Sequence, residues 1–157
     1  MGSIPEGRMF AASGDSYDRF MGRYSRALAA PFADFAGIGA GQRALDVGCG
    51  PGALTGELVR RLGAESVSAC DPSGVFVAAC AERHPGVDAR TGSAEDLPYP
   101  DAGFDVVAAQ LVLHFVSDTD RAGEHMRRVT RPGGTVAACV WEFGQGMQLL
   151  RAFWDAA

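Results

Sequence analysis

Arg43-Ala44-Leu45-Asp46-Val47-Gly48-Cys49-Gly50-Pro51-Gly52-Ala53-Leu54-Thr55 is the stretch on which the fold turns. Its first part, Ala44, Leu45 and Val47 around a single acid, reads as a short buried strand. The strand breaks into glycines at every second position, Gly48, Gly50 and Gly52. From Ala53 to Leu62 the pattern is helical, with Leu54, Leu58, Val59 and Leu62 on one face. Strand, glycine turn and helix together open a βαβ nucleotide-binding unit. Glycines in such a turn allow positive φ and bring backbone close to a ligand that a Cβ would push away. The helix start is expected to offer free N–H groups and a partial positive charge to an anionic group.

Spacing narrows the choice of ligand. A dinucleotide site wants G-x-G-x-x-G, with the last glycine inside the helix. Here the order is Asp-x-Gly-x-Gly-x-Gly, with Pro51 fixing φ and removing a donor within the turn. The run Leu45-Asp46-Val47-Gly48-Cys49-Gly50-Pro51-Gly52 resembles the first motif of the class I S-adenosylmethionine-dependent methyltransferases. The resemblance extends over roughly residues 15–150. It implies transfer of a methyl group from S-adenosylmethionine to a small-molecule acceptor by in-line displacement, with S-adenosylhomocysteine as product. A nicotinamide-dependent oxidoreductase is the rival that the glycine spacing disfavours. A non-catalytic cofactor-binding or scaffold domain is the other rival.

At 157 residues the chain has the length of one domain, and its 47% apolar content suffices for a packed core. A net charge of −5 argues against broad nucleic-acid binding and points to a small acceptor. The basic clusters Arg60-Arg61 and Arg127-Arg128 with Arg131 read as solvated helix ends. Cys49, Cys70, Cys80 and Cys139 form no C-x-x-C pair and have no histidine at metal spacing, a reduced, cytoplasmic pattern without a bound metal. No run reaches the length of a membrane span, and no secretory signal opens the chain.

Residues 1–14 read as a mobile N-terminus and 15–157 as the methyltransferase domain. Tyr17, Phe20, Met21 and Tyr24 fall on one helical face, and a second helix is expected over Ala29–Ala36, with Pro31 in its first turn. The resemblance makes the leading helix a lid, from which Tyr17 and Arg26 would touch the methionine end of the cofactor. A second strand, Ser66–Asp71, ends in an acid 19 residues after Gly52, the spacing at which a carboxylate meets a ribose. Asp71-Pro72-Ser73 also suits the start of the helix Val75–Arg83, so Asp71 is alternatively a helix cap. His84-Pro85-Gly86 stops that helix.

A third strand, Val87–Thr91, leads into Gly92-Ser93-Ala94-Glu95-Asp96-Leu97, which resembles the family's adenine-framing loop. Ser93 stands where the family usually has an acid or amide. The Ala94 N–H would then meet the ring, and Leu97 would offer it an apolar face. Phe104 to Phe115 opens with an almost continuously apolar fourth strand, as a sheet covered on both faces requires. The resemblance puts Gln110 and His114, just beyond it, beside the transferring methyl. His114 is the candidate general base. The cofactor set is Tyr17, Arg26, Asp46, Gly48, Cys49, Gly50, Gly52, Asp71, Pro72, Ser93, Ala94, Glu95 and Gln110.

A helix over Asp118–Val129, a fifth strand over Thr135–Trp141 and a last helix over Gln148–Ala156 complete the pattern. Right-handed crossovers make this an α/β, doubly wound, Rossmann-like parallel sheet of order 3-2-1-4-5. The family's usual final two strands are not in the pattern. The domain is therefore expected to be C-terminally incomplete, or to cover its fifth strand with the terminal helix or with a second copy in a homodimer.

Overall fold

The computed structural model describes residues 22–142. Five parallel strands form one sheet in the order β3-β2-β1-β4-β5, as the alternation of elements requires. They are β1 (Ala44–Val47), β2 (Val67–Asp71), β3 (Asp88–Thr91), β4 (Phe104–Gln110) and β5 (Thr130–Cys139). The helices are α1 (Arg23–Phe35), α2 (Ala53–Leu62), α3 (Gly74–Arg83) and α4 (Thr119–Val129). Three-residue 3-10 turns lie at Ala64–Ser66 and Leu113–Phe115.

Alternation along the strands sorts the core into two layers. Ala44, Val106 and Ala108 face α1 and α2, where Phe32, Leu54 and Leu58 close the layer. Leu45, Val47, Val107 and Ala109 face the other way, against Ala122, Met126 and Val129 of α4. Both faces of β1 and β4 are thus sealed, which explains their mostly apolar sequence. The winding reverses between β1 and β4, and their carboxyl ends open the crevice that such sheets use for ligands.

The first helix differs from expectation. Instead of a start at Ala29, α1 begins at Arg23, and Pro31 lies in its interior. A proline there leaves the carbonyl four residues earlier without its bond. That residue, Ala27, is exposed like Pro31, so water can take the carbonyl, while Ser25, Ala29, Phe32 and Ala33 make the buried stripe. Tyr24 is half-exposed and meets Trp141 edge-on at 6.2 Å between ring centroids. Tyr17, Phe20, Met21 and the helix expected over Gln148–Ala156 lie outside the described residues.

The fifth strand also begins early, at Thr130 rather than Thr135. Thr130 pairs with Phe104, and pairing resumes at Thr135 with Val106, so Arg131-Pro132-Gly133-Gly134 bulges out. Gly134 is needed there, since a Cβ would lie 2.6 Å from the Asp105 carbonyl.

The basic clusters are not uniformly solvated. Arg60 is, but Arg61 donates to the carbonyls of Ile38 (3.1 Å) and Ala30 (3.1 Å) and ties α2 to α1. Arg128 holds the Tyr99 carbonyl at 2.9 Å and the Leu97 carbonyl at 2.8 Å, and Arg131 pairs with Asp105. Among the described residues, no helix is long and apolar enough to cross a membrane, and no cluster of side chains has metal-ligating form.

Candidate active site

The cleft lies at the carboxyl ends of β1 and β4. Asp46 of β1 and Gly48 to Pro51 form one wall, Ala53 and Leu54 of α2 the floor, and Gln110 and Leu111 the opposite wall; Ser25 of α1 closes it. Of the cofactor residues expected from sequence, Asp46, Gly48, Cys49, Gly50 and Gln110 meet here.

The glycine loop has the backbone expected of it, with φ of +70° at Gly48, +51° at Gly50 and +97° at Gly52. The space beside it is used differently. A Cβ on Gly48 would lie 2.4 Å from Val112, and one on Gly52 would lie 2.8 Å from the His84 ring. At these two positions the bare backbone admits protein side chains. The loop's own N–H groups are engaged internally. Those of Gly48 and Cys49 reach the Cys70 carbonyl (2.7 and 2.9 Å), that of Gly52 the Cys49 carbonyl (3.0 Å), and that of Gly50 the Asp71 carboxylate (2.9 Å).

Asp71 therefore braces the loop. One oxygen accepts from Gly50 N–H and the other from Ser73 N–H, each at 2.9 Å. It is not the cap of α3: Ser73 is, through its hydroxyl to Phe76 N–H. Burial raises the Asp71 pKa, and the two backbone donors oppose the rise. Pro72 beside it is exposed.

Asp46 is the most buried acid of the site, at 1% exposure. The Thr55 hydroxyl donates to it at 2.6 Å and ties the end of β1 to the first turn of α2. Burial lifts its pKa to about 7, against the pull of that donor. Beneath it, Cys80 Sγ donates to Thr55 Oγ1 at 3.5 Å. The Cys49 thiol packs with Cys80, and burial and that contact keep it protonated.

Gln110 donates through Nε2 to the Ser25 carbonyl at 2.9 Å, joining β4 to α1 across the cleft. Its Oε1 is buried without a protein partner. Leu111 follows at φ +60°, a left-handed conformation that costs a non-glycine residue on the order of 1–2 kcal/mol. The bend carries Val112 over Gly48.

The remaining expected residues are placed elsewhere. Ser93 and Glu95 bond each other (3.0 Å), and Glu95 also accepts from Asp118 N–H at 2.7 Å, tying the loop after β3 to the start of α4. Ala94 and Leu97 are buried in the α4 layer, so Leu97 offers no free apolar face. His114 sits on the exposed turn after β4 with its ring 4.0 Å from that of Phe115, and partial burial lowers its pKa. Arg26 is exposed on α1. None of these lines the cleft, and Tyr17 lies outside the described residues.

Sequence reasoning missed Ser25, Thr55, His84 and Leu111. Thr55 alone left a signal, a buried-face hydroxyl nine residues after Asp46. Ser25 meets Gln110 across 85 residues, which no local pattern reports.

A buried acid and an orphaned amide oxygen lie beside a glycine turn, at the reversal of the parallel sheet of a doubly wound α/β domain. The chain belongs to the methyltransferase-domain family, whose profile matches residues 45–138. It is 41% identical over 108 residues to trans-aconitate 2-methyltransferase of Mycobacterium tuberculosis, covering 66% of this chain and 38% of that one. Among solved structures, a SAM-dependent methyltransferase from Aquifex aeolicus superposes with a TM-score of 0.73 at 20% identity, over 87% of this chain and 77% of the other. The [4+2]-cyclase SpnF superposes with a TM-score of 0.65 at 34% identity, over 72% of this chain and 43% of the other. The chain spans less than half the length of the curated relatives it matches.

Proposed function

We propose that this domain binds S-adenosylmethionine in the β1–β4 cleft and serves transfer of its methyl group to a small-molecule acceptor. The observation that carries the reading is a pair of acceptors on residues that line one cleft: the Asp46 carboxyl and the buried, unpartnered Gln110 Oε1. Both suit a ligand bearing cationic groups and have little to offer an anionic one. When bound, S-adenosylmethionine supplies a methyl group on a cationic sulfur that departs as a neutral thioether.

Asp46 provides the countercharge to the ligand's cations, and such a neighbour stabilises its carboxylate form. Gln110 Oε1 gains an ammonium donor and ends its unpaired burial. Leu111 and Val112 exclude water from the loop side of the cleft. Asp71 uses one site on each carboxylate oxygen for Gly50 and Ser73, which leaves further lone pairs for ribose hydroxyls. His114, whose pKa partial burial lowers, stands on the exposed turn after β4 and outside the cleft lining, so this reading gives it no proton transfer. In-line geometry is the main demand on the chain, since alignment replaces acid help to a neutral leaving group.

A small acceptor agrees with the negative net charge and with the trans-aconitate named for the M. tuberculosis relative. Four free thiols support a reducing compartment, the cytoplasm.

A second reading, cofactor binding without methyl transfer, has one observation in its favour: the 34%-identical structural neighbour SpnF is named for a cyclisation. Calorimetric titration with S-adenosylhomocysteine tests the shared premise, with saturable binding expected and no response to NADH. Transfer of labelled methyl from S-adenosylmethionine into a fractionated metabolite extract is then expected. Binding without transfer selects the second reading, and absence of binding ends both.

A further inference from the structure

His84 follows α3 directly, and Pro85-Gly86 accounts for it in sequence only as the end of a helix. In the structure its ring lies under the other end of the site. Nε2 is 3.0 Å from the carbonyl oxygen of Gly52, the residue that joins the glycine loop to α2. A carbonyl only accepts, so Nε2 carries the hydrogen and donates it. The same carbonyl takes the first helical bond, from Gly56 N–H at 3.0 Å. One residue earlier, Arg83 Nη1 donates to the Pro51 carbonyl at 3.1 Å. Two consecutive side chains at the end of α3 thus hold two consecutive carbonyls of the loop.

The ring occupies a socket built from missing side chains. A Cβ on Gly52 would lie 2.8 Å from His84 Cδ2 and Nε2, and one on Gly56 would lie 2.9 Å from Cε1. Gly56 is inside α2, where glycine is less stable than alanine. That cost has a structural explanation if the space is needed for the ring. Pro51, one residue before the anchored Gly52 carbonyl, lines the cleft, and Gly50 lines it too.

We propose that His84 is a positioning residue for the cofactor loop: seated in the Gly52–Gly56 socket, its Nε2–H fixes the Gly52 carbonyl and with it the turn that shapes the cleft. The anchoring stands on this geometry alone; its consequence for S-adenosylmethionine rests on the function proposed above.

The test measures hydrogen exchange at the amides of residues 50–56 in the full chain without ligand, and S-adenosylhomocysteine affinity by calorimetry. His84→Leu fills the socket without a donor. It is expected to speed exchange at these amides about fivefold, with β4 unchanged, and to weaken binding about fivefold, the equivalent of one hydrogen bond. His84→Gln places an amide N–H at similar reach and is expected to restore both within about twofold. Gly56→Ala, ordinarily helix-stabilising, is expected to act like His84→Leu, but to add nothing in a His84→Ala background, where the socket is empty. The inference is overturned if His84→Leu protects the loop and binds as the unaltered chain does, if Gln fails to rescue, or if Gly56→Ala is neutral. Should the unaltered chain not bind S-adenosylhomocysteine, the proposed function fails, and the exchange measurements still decide the anchoring.

Discussion

Asp71 shows how one carboxylate braces a loop and, in the proposed function, meets a ribose as well. It satisfies the N–H of Gly50 in the loop after β1 and that of Ser73 at the cap of α3, so it couples the carboxyl ends of β1 and β2. Asp71→Ala leaves two donors without their acceptor. It is expected to cost about 1–3 kcal/mol of stability, read as a denaturant midpoint, and a similar amount in S-adenosylhomocysteine affinity. Asp71→Asn keeps one acceptor oxygen and should fall between; an Ala variant with both quantities unchanged would show that neither role is real. In sequence the acid at the end of β2 was legible as a candidate for ribose contact or capping. The bond to Gly50 was not, because it depends on where a loop 21 residues away folds back. Ser93 and Glu95 illustrate the same limit. Their motif position suggested a ligand, while their side chains bond each other and the start of α4.

The junction of β1 with α2 is the element most fully written in the sequence, since alternating glycines demand a backbone that only glycine adopts easily. What the pattern did not reveal is the occupant of the space that glycine leaves. At Gly48 it is Val112, carried there by the left-handed Leu111. Gly48→Ala therefore meets two penalties, on the order of 1–2 kcal/mol for an L-residue at φ +70° and a further 1–3 kcal/mol for the overlap with Val112. The double variant Gly48→Ala/Val112→Ala should recover the overlap part and retain the backbone part, a separation that thermal or denaturant unfolding can read. Equal instability of the single and double variants would remove Val112 from the account. Elsewhere, element bounds moved where tertiary contacts outweighed local signals. Pro31 suggested a helix start, yet α1 runs through it because its freed carbonyl faces solvent. Gly133-Gly134 suggested a turn before β5, yet Thr130 already pairs with Phe104 across a bulge.

Over the whole molecule, topology was the most legible property, because five strands, joined by helices except between β3 and β4, fit a doubly wound sheet with right-handed crossovers. Charge balance at the centre of the fold was not legible, because burial decides it. Asp46 ionises near 3.8 when exposed and near 7 in the folded domain. Between those values the folded state holds a proton that the unfolded chain has released, so stability falls as pH rises through about 4 to 7 and then levels off. Asp71, raised by the same cause, pulls in the same direction. Glu57 is opposite. Its bonds to Arg60 and Arg61 hold its pKa near 2, below its ordinary 4.5, so its contribution is present above pH 4.5 and is lost as pH falls toward 2. The two trends oppose each other, so these groups cost the ligand-free domain stability both toward acid and toward neutral pH. Asp46→Asn retains an oxygen for the Thr55 hydroxyl and removes the titration. It should raise stability at pH 8 by on the order of 2 kcal/mol relative to the unaltered chain and leave it nearly unchanged at pH 4.5. Urea unfolding at the two pH values measures the difference directly, and an Asn variant with the same pH profile as the unaltered chain would place the buried proton somewhere other than Asp46.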